Sequence, residues 1–191
     1  MDRREALLAH VNLMTEVGLE FGPLDKPLVR RSDSCFIHYC DYAPKAILQQ
    51  KSSSAPNVNI HAIPDIDFVA PVIANETFGG MKFDYVIASH VIEHVPDMVT
   101  WLNVLLSSLK SGGRIILAVP DRRYTFDYFR PLTTAGELLQ ATLEQRVRPA
   151  FAQIYDGFSK AVNVNSHDLW QSGPYPAAIT HMFSKATALN L

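Results

Sequence analysis

The sequence lacks several features that would settle its class at a glance. Its 191 residues carry 17 lysines and arginines against 19 aspartates and glutamates, a net charge of −2. The global basic field that holds nucleic acid is therefore missing, which argues against a nucleic-acid partner and leaves only a local patch open. Two cysteines are present, Cys35 and Cys40, five apart in a stretch that reads as a strand. At that spacing they point to opposite faces, which disfavours a bridge between them, and reduced, buried thiols fit a cytoplasmic chain. No apolar run reaches the ~18 residues of a membrane span, and the N-terminal MDRREALLAHVNLM has no unbroken apolar region of signal-peptide length. No membrane is expected. Internal repeats and low-complexity tracts are absent too. The remaining composition, 48% hydrophobic and 19% charged, suits one globular domain over residues 1–191 with a sizeable core.

The most informative stretch runs from Phe83 to Pro120. Tyr85 to Ala88 and Ile115 to Val119 are short apolar runs bounded by turn residues, as expected of strands covered on both faces in the middle of a sheet. Between them Met98, Leu102, Leu105, Leu106 and Leu109 recur at helical spacing. Pro96 and Asp97 give a start signal, and Lys110, Ser111, Gly112 and Gly113 a stop. A strand, a crossover helix and a strand make a parallel pair. Ligands in such sheets sit at the carboxyl ends of the strands, which draws attention to Ser89, His90, Glu93 and His94. His90 to His94 also spells HxxEH, the inverted zinc-protease pattern. That chemistry needs both histidines on one face of a stable helix and a third ligand. Pro96 would stand inside such a helix at a cost of ~3 kcal/mol, so zinc hydrolysis is a remote alternative and no metal site is assigned.

Residues 2–13 pattern as a short helix, and residues 15–22 as a strand running into Gly22, Pro23 and a turn whose Pro27 suits the first turn of a helix. One glycine after a strand is also an ordinary turn. The next strand ends at Asp41, 19 residues after Gly22, where an acidic residue can accept hydrogen bonds from ribose hydroxyls or simply cap the helix starting near Pro44. IPDIDFV (63–69) offers a third strand with Asp65 and Asp67 on one face. After the central unit, residues 120–133 pack Arg122, Arg123, Asp127 and Arg130 among Tyr124, Phe126, Tyr128 and Phe129. That stretch is either substrate territory at the carboxyl end of a strand or an ion-paired loop anchoring the helix over 133–146. FAQIYDGFSKAV (151–162) reads as a helix, and residues 163–176 read as a loop carrying His167, Asp168 and Trp170.

The unit FDYVIASHVIEHVPD followed by LKSGGRIILAVP resembles the fourth strand, following helix and fifth strand of class I S-adenosylmethionine-dependent methyltransferases. The resemblance implies a Rossmann-like, doubly wound, mostly parallel α/β sheet. It implies S-adenosylmethionine as cofactor, and methyl transfer to an oxygen or nitrogen of a small molecule or glycan. Glu20, Gly22 and Pro23 match the family's glycine-rich loop, although Leu24 and Lys26 stand where further glycines occur. By the same resemblance, Asp41 would meet the ribose, Asp67 and Phe68 the adenine, and Ser89 and His90 would line the cofactor. Arg122, Arg123, Tyr124 and Arg130 would face the acceptor, and His94, His167 and His181 are candidate bases. Residues 180–191 resemble the opening of the family's last core helix. On that alignment the domain is C-terminally short and lacks the closing antiparallel strands, leaving the fifth strand an edge for a homo-oligomer or a rearranged tail to cover. The alternative is a non-catalytic cofactor-binding or interaction module with the same fold.

Overall fold

The computed structural model describes residues 2–32, 35–174 and 179–183. They group into two compact units, Met1–His94 with Val99–Ala118, and Val95–Met98 with Val119–Leu191.

The first unit is built on a five-stranded parallel sheet. Its strands are β1 (Val17–Phe21), β2 (Phe36–Asp41), β3 (Phe68–Val69), β4 (Phe83–Ser89) and β5 (Leu109–Ala118), in spatial order β3-β2-β1-β4-β5. The chain moves outward from β1 to β3, then returns to the other side of β1 with β4. This doubly wound order places a topological switch point between β1 and β4. The register pairs Phe21 with Cys40 and with Ala88, so the carboxyl ends of β1, β2 and β4 lie side by side. Helices α1 (Arg3–Leu8), α2 (Lys45–Ser52) and α3 (Met98–Ser108) complete the layer elements named here.

The apolar runs account for the core. Val29, Ile37, Tyr39, Tyr85 and Ile87 form one buried cluster, against which Leu8, Val11 and Leu13 pack. A second cluster is aromatic: the Phe78 ring meets those of Phe21, Phe68 and Phe83 edge to face, and Phe21 meets Trp101 of α3 the same way. Edge-to-face contact suits rings with negative faces and positive edges.

Four expectations need correction. β5 is not in the middle of the sheet: among the described residues β4 is its only partner there, and Ile115, Ile116 and Leu117 are half-buried while Tyr85 to Ala88 are buried. An apolar run of given length looks the same at an edge and at a centre. Lys110 to Gly113 do not end a helix in a plain turn. They sit within β5 as an irregularity between the Phe83↔Leu109 and Tyr85↔Arg114 pairs, with Gly112 at φ +77°. The third strand shrinks to Phe68–Val69. Finally, no helix forms among the described residues between β1 and β2, so Pro27 opens no helix and the described part of the connection is turns and bends.

In the second unit, α4 (Ala135–Leu143) starts at a capping box in which the Thr134 hydroxyl accepts from the Glu137 N–H and the Glu137 carboxylate accepts from the Thr134 N–H. It is followed by α5 (Phe151–Ser159), β6 (Val162–Asn163), α6 (Ser166–Ser172) and β7 (Thr180–His181). The expected loop around His167 is thus partly the helix α6, capped by Asn165, whose side chain accepts from the His167 and Asp168 N–H groups. β6 and β7 pair antiparallel in a two-stranded sheet of their own. The start of the expected last helix is strand at 180–181, and the rest of that expectation, residues 184–191, lies outside the described residues. Among the described residues no helix is long and apolar enough to cross a membrane.

Candidate active site

The candidate site is the carboxyl edge of β1, β2 and β4 in the first unit. Gly22 follows β1 with φ +59°, a conformation costly for residues with a Cβ, and a Cβ there would lie 3.4 Å from Val91 Cγ2. Its N–H donates to the Cys40 carbonyl at 3.0 Å, fixing it beside the end of β2. Asp41 ends β2 and is only 7% exposed. Its Oδ1 accepts from the Tyr42 N–H at 2.7 Å, and its backbone carbonyl accepts from the Ala70 N–H at 2.9 Å. Oδ2 has no hydrogen-bond partner among the described residues. Burial pushes the Asp41 carboxyl above its ordinary range, and the Tyr42 N–H opposes that shift.

Glu20 is brought to this edge but faces into the fold. It is 3% exposed, and its two carboxyl oxygens accept from the Leu28 N–H at 2.7 Å and the Val29 N–H at 3.0 Å. It therefore clamps the β1–β2 connection that a helix does not organise. Burial raises its pKa to about 7 against the two N–H bonds and the field of Arg4. Pro23 is buried beside Gly22, and its carbonyl closes a turn by accepting from the Lys26 N–H.

After β4, Ser89 Oγ accepts a hydrogen bond from the Arg3 guanidinium of α1. His90 adopts φ +56°, unusual for a side chain of its size, and its N–H donates to the Ala118 carbonyl at 2.9 Å. Its Nδ1 lies 3.4 Å from Glu93 Oε1. Residues Ile92–His94 form one 3-10 turn with His90 outside it, so the continuous helix that an HxxEH zinc site needs is not made. Among the described residues no group of three His, Cys, Asp or Glu side chains is placed to hold a metal. The turn is held by the His94 N–H, which donates to the Val91 carbonyl at 2.9 Å, and not by the imidazole, which is free of hydrogen bonds among the described residues.

Asp67 and Phe68 are drawn into the scaffold. The Asp67 carboxylate accepts from the Arg31 guanidinium and from the Tyr39 N–H at 2.7 Å, below the end of β2. The Phe68 ring belongs to the aromatic cluster, 5.3 Å from Phe78 and 6.3 Å from Phe83.

The remaining candidates lie in the second unit. Arg122 donates to the Tyr128 carbonyl at 2.6 Å, Arg123 pairs with Asp121 at 2.6 Å, and Arg130 reaches Asp127 at 3.4 Å and the Gln153 carbonyl at 3.2 Å. The Tyr124 ring stacks on Trp170 at 4.1 Å with 8° between planes. These groups brace the segment after β5. His167 and His181 are exposed, the latter with its ring 5.9 Å from that of Phe129. Sequence reasoning missed Arg3 and Val91 as members of the edge. Arg3 of α1 is placed by its bond to Ser89 and Val91 by its approach to Gly22, contacts between residues far apart in the chain that local pattern does not carry.

In doubly wound parallel sheets ligands sit at the carboxyl ends of the strands by the switch point, which is where the positive-φ glycine after β1 and the acidic residue closing β2 lie. A methyltransferase-domain family profile matches residues 15–115, more than half of the chain, and the chain belongs to the class I S-adenosylmethionine-dependent methyltransferase family. Two proteins called ubiquinone biosynthesis O-methyltransferase are similar to it. The one from Methylobacterium sp. (strain 4-46) is 27% identical over 109 residues, 57% of this chain and 41% of the relative. The one from Methylobacterium nodulans is 27% identical over 121 residues, 63% of this chain and 46% of the relative. The matched stretch is thus less than half the length of either relative.

Proposed function

We propose that the chain binds S-adenosylmethionine at the carboxyl edge of β1, β2 and β4 and transfers its methyl group to an oxygen or nitrogen of a small molecule or glycan. The carrying observation is the juxtaposition of Gly22 and Asp41, joined through the Gly22–Cys40 hydrogen bond, at the switch point of the sheet. The edge fits the cofactor's nucleoside part. Gly22 lets the ligand approach the backbone where a Cβ would intrude, and Asp41 presents one carboxyl oxygen to ribose hydroxyls. Since Asp67 and Phe68 are engaged by the fold, the adenine contacts fall to the carboxyl end of β3, at Val69 and Ala70.

The methionine part of the cofactor meets a different arrangement. Among the described residues no helix lies between Gly22 and β2, and a cation held at the end of β4 is Arg3, which we assign to the cofactor carboxylate. The bound cofactor supplies a methyl group on a sulfonium, already a good leaving group, so the protein's work is alignment and exclusion of water. His94, whose imidazole makes no hydrogen bond among the described residues and stands just past β4, is the candidate base in this unit for the acceptor's proton. The similar O-methyltransferases make an oxygen nucleophile the first to test.

Incubation with methyl-labelled S-adenosylmethionine and fractionated cell extract tests the reading without assuming the acceptor. Label transferred to a small-molecule or glycan fraction is the expected result. Cofactor binding with no transfer to any fraction would favour the rival reading, a non-catalytic module on the same fold.

A further inference from the structure

We infer that the first unit carries a second ligand site, away from the carboxyl edge, for an amphipathic oxyanion: a carboxylate or phosphate monoester on an apolar tail. The site is an open pocket of about 640 Å³ between the N-terminal segment and the β1–β2 connection, in the size range of small-molecule sites. It exists because no helix fills the space between β1 and β2 among the described residues.

The lining divides by chemistry. Leu13, Met14, Pro27 and Val29 give an apolar side, Ser32 and Cys35 complete the rim, and Arg4, Arg30 and Arg31 supply three guanidinium groups with no carboxylate among the described lining residues; Asp33, between Ser32 and Cys35 in sequence, lies outside the described residues. Their commitments differ. Arg4 uses Nε on the Leu28 carbonyl at 2.6 Å, which fixes its fork while leaving the terminal nitrogens without partners among the described residues. Arg31 is neutralised by Asp67 and lies over the Tyr39 ring, 4.7 Å from its centroid. Arg30 is exposed and makes no hydrogen bond or ion pair among the described residues. The nearest buried carboxyl, Glu20, already spends both oxygens on Leu28 and Val29. Among the described residues two guanidinium forks thus remain for an anion, next to an apolar wall that a bare inorganic anion would leave unfilled.

The residues used here are not those assigned to the cofactor, so the two readings fail independently. Titrations of the full chain with decanoate, decyl phosphate, decanol and inorganic phosphate, followed by amide chemical shifts, test the inference. Saturable shifts at residues 13–14 and 27–32 with decanoate or decyl phosphate, much weaker with decanol and with inorganic phosphate, are expected. The better of the two amphiphiles identifies the head group. Arg30→Gln, at a side chain with no partner among the described residues, should weaken that binding roughly tenfold and leave S-adenosylmethionine binding unchanged. Raising the salt concentration should weaken it as well. Equal binding of decanol and decanoate, binding indifferent to Arg30→Gln and Arg4→Gln, or no saturable shift with any probe would overturn the inference.

Discussion

Tyr85 lies across Gly18: the two are register partners in β4 and β1, and a Cβ at position 18 would overlap the far end of the Tyr85 ring. The close approach of a buried ring to backbone explains the glycine in a strand, where it otherwise costs stability. Gly18→Ala should therefore destabilise the first unit by about 1–3 kcal/mol, read from denaturant midpoints. The Tyr85 hydroxyl, buried without a hydrogen-bond partner among the described residues, adds a second test. Tyr85→Phe should be neutral or stabilising, because it removes an unsatisfied polar atom. A loss above ~2 kcal/mol in Tyr85→Phe would show that the hydroxyl has a partner in solution.

Glu20 should make stability pH-dependent in an unusual direction. Its folded pKa of about 7 stands above its ordinary 4.5, so the folded state holds the extra proton between those values. Stability from this group is full below about 4.5 and falls as pH rises through about 7, by on the order of 3 kcal/mol in all. Unfolding free energies of the parent and Glu20→Gln measured from pH 4 to 8 check this. The parent should lose stability relative to the variant across that window, and parallel curves would count against it.

Arg3 should matter to the cofactor and little to the fold. It is an exposed side chain whose one hydrogen bond among the described residues is to Ser89 Oγ. Arg3→Ala should weaken S-adenosylmethionine binding roughly tenfold, while adenosine, which has no carboxylate, should bind parent and variant alike. An equal loss for both ligands would mean that Arg3 shapes the edge and does not touch the carboxylate.

Much of this was legible in the chain. β1, β2, β4, α2 and α3 follow from apolar runs and helical spacing, and Gly22 and Asp41 from their places after β1 and at the end of β2. What escaped depends on partners distant in sequence. The local apolar run put β5 in the middle of the sheet while the family alignment left it at an edge, where it lies; the engagement of Asp67 is set by Arg31, 36 residues earlier. The missing helix after Gly22 escaped for another reason: Pro27 is compatible with a helix start, but Glu20 takes the Leu28 and Val29 N–H groups instead. The arginines after β5 were readable as acceptor ligands or as braces. Their bonds to Asp121, Asp127 and two backbone carbonyls supply the bracing part of that reading in the second unit.

His94 gives the chemical step its test. Once an acceptor is in hand, His94→Gln should lower kcat roughly 100-fold without changing cofactor affinity. Loss of cofactor binding along with activity would place the histidine among the groups that shape the edge.

The central claim is that the edge formed by Gly22 and Asp41 holds S-adenosylmethionine. Calorimetric titration of the full chain with S-adenosylmethionine and with its demethylated product tests it most directly. The account predicts one site for each, with Asp41→Ala weakening both at least tenfold, since two ribose hydroxyls lose a charged acceptor. Absence of binding by the parent chain, or affinity unchanged in Asp41→Ala, would contradict it.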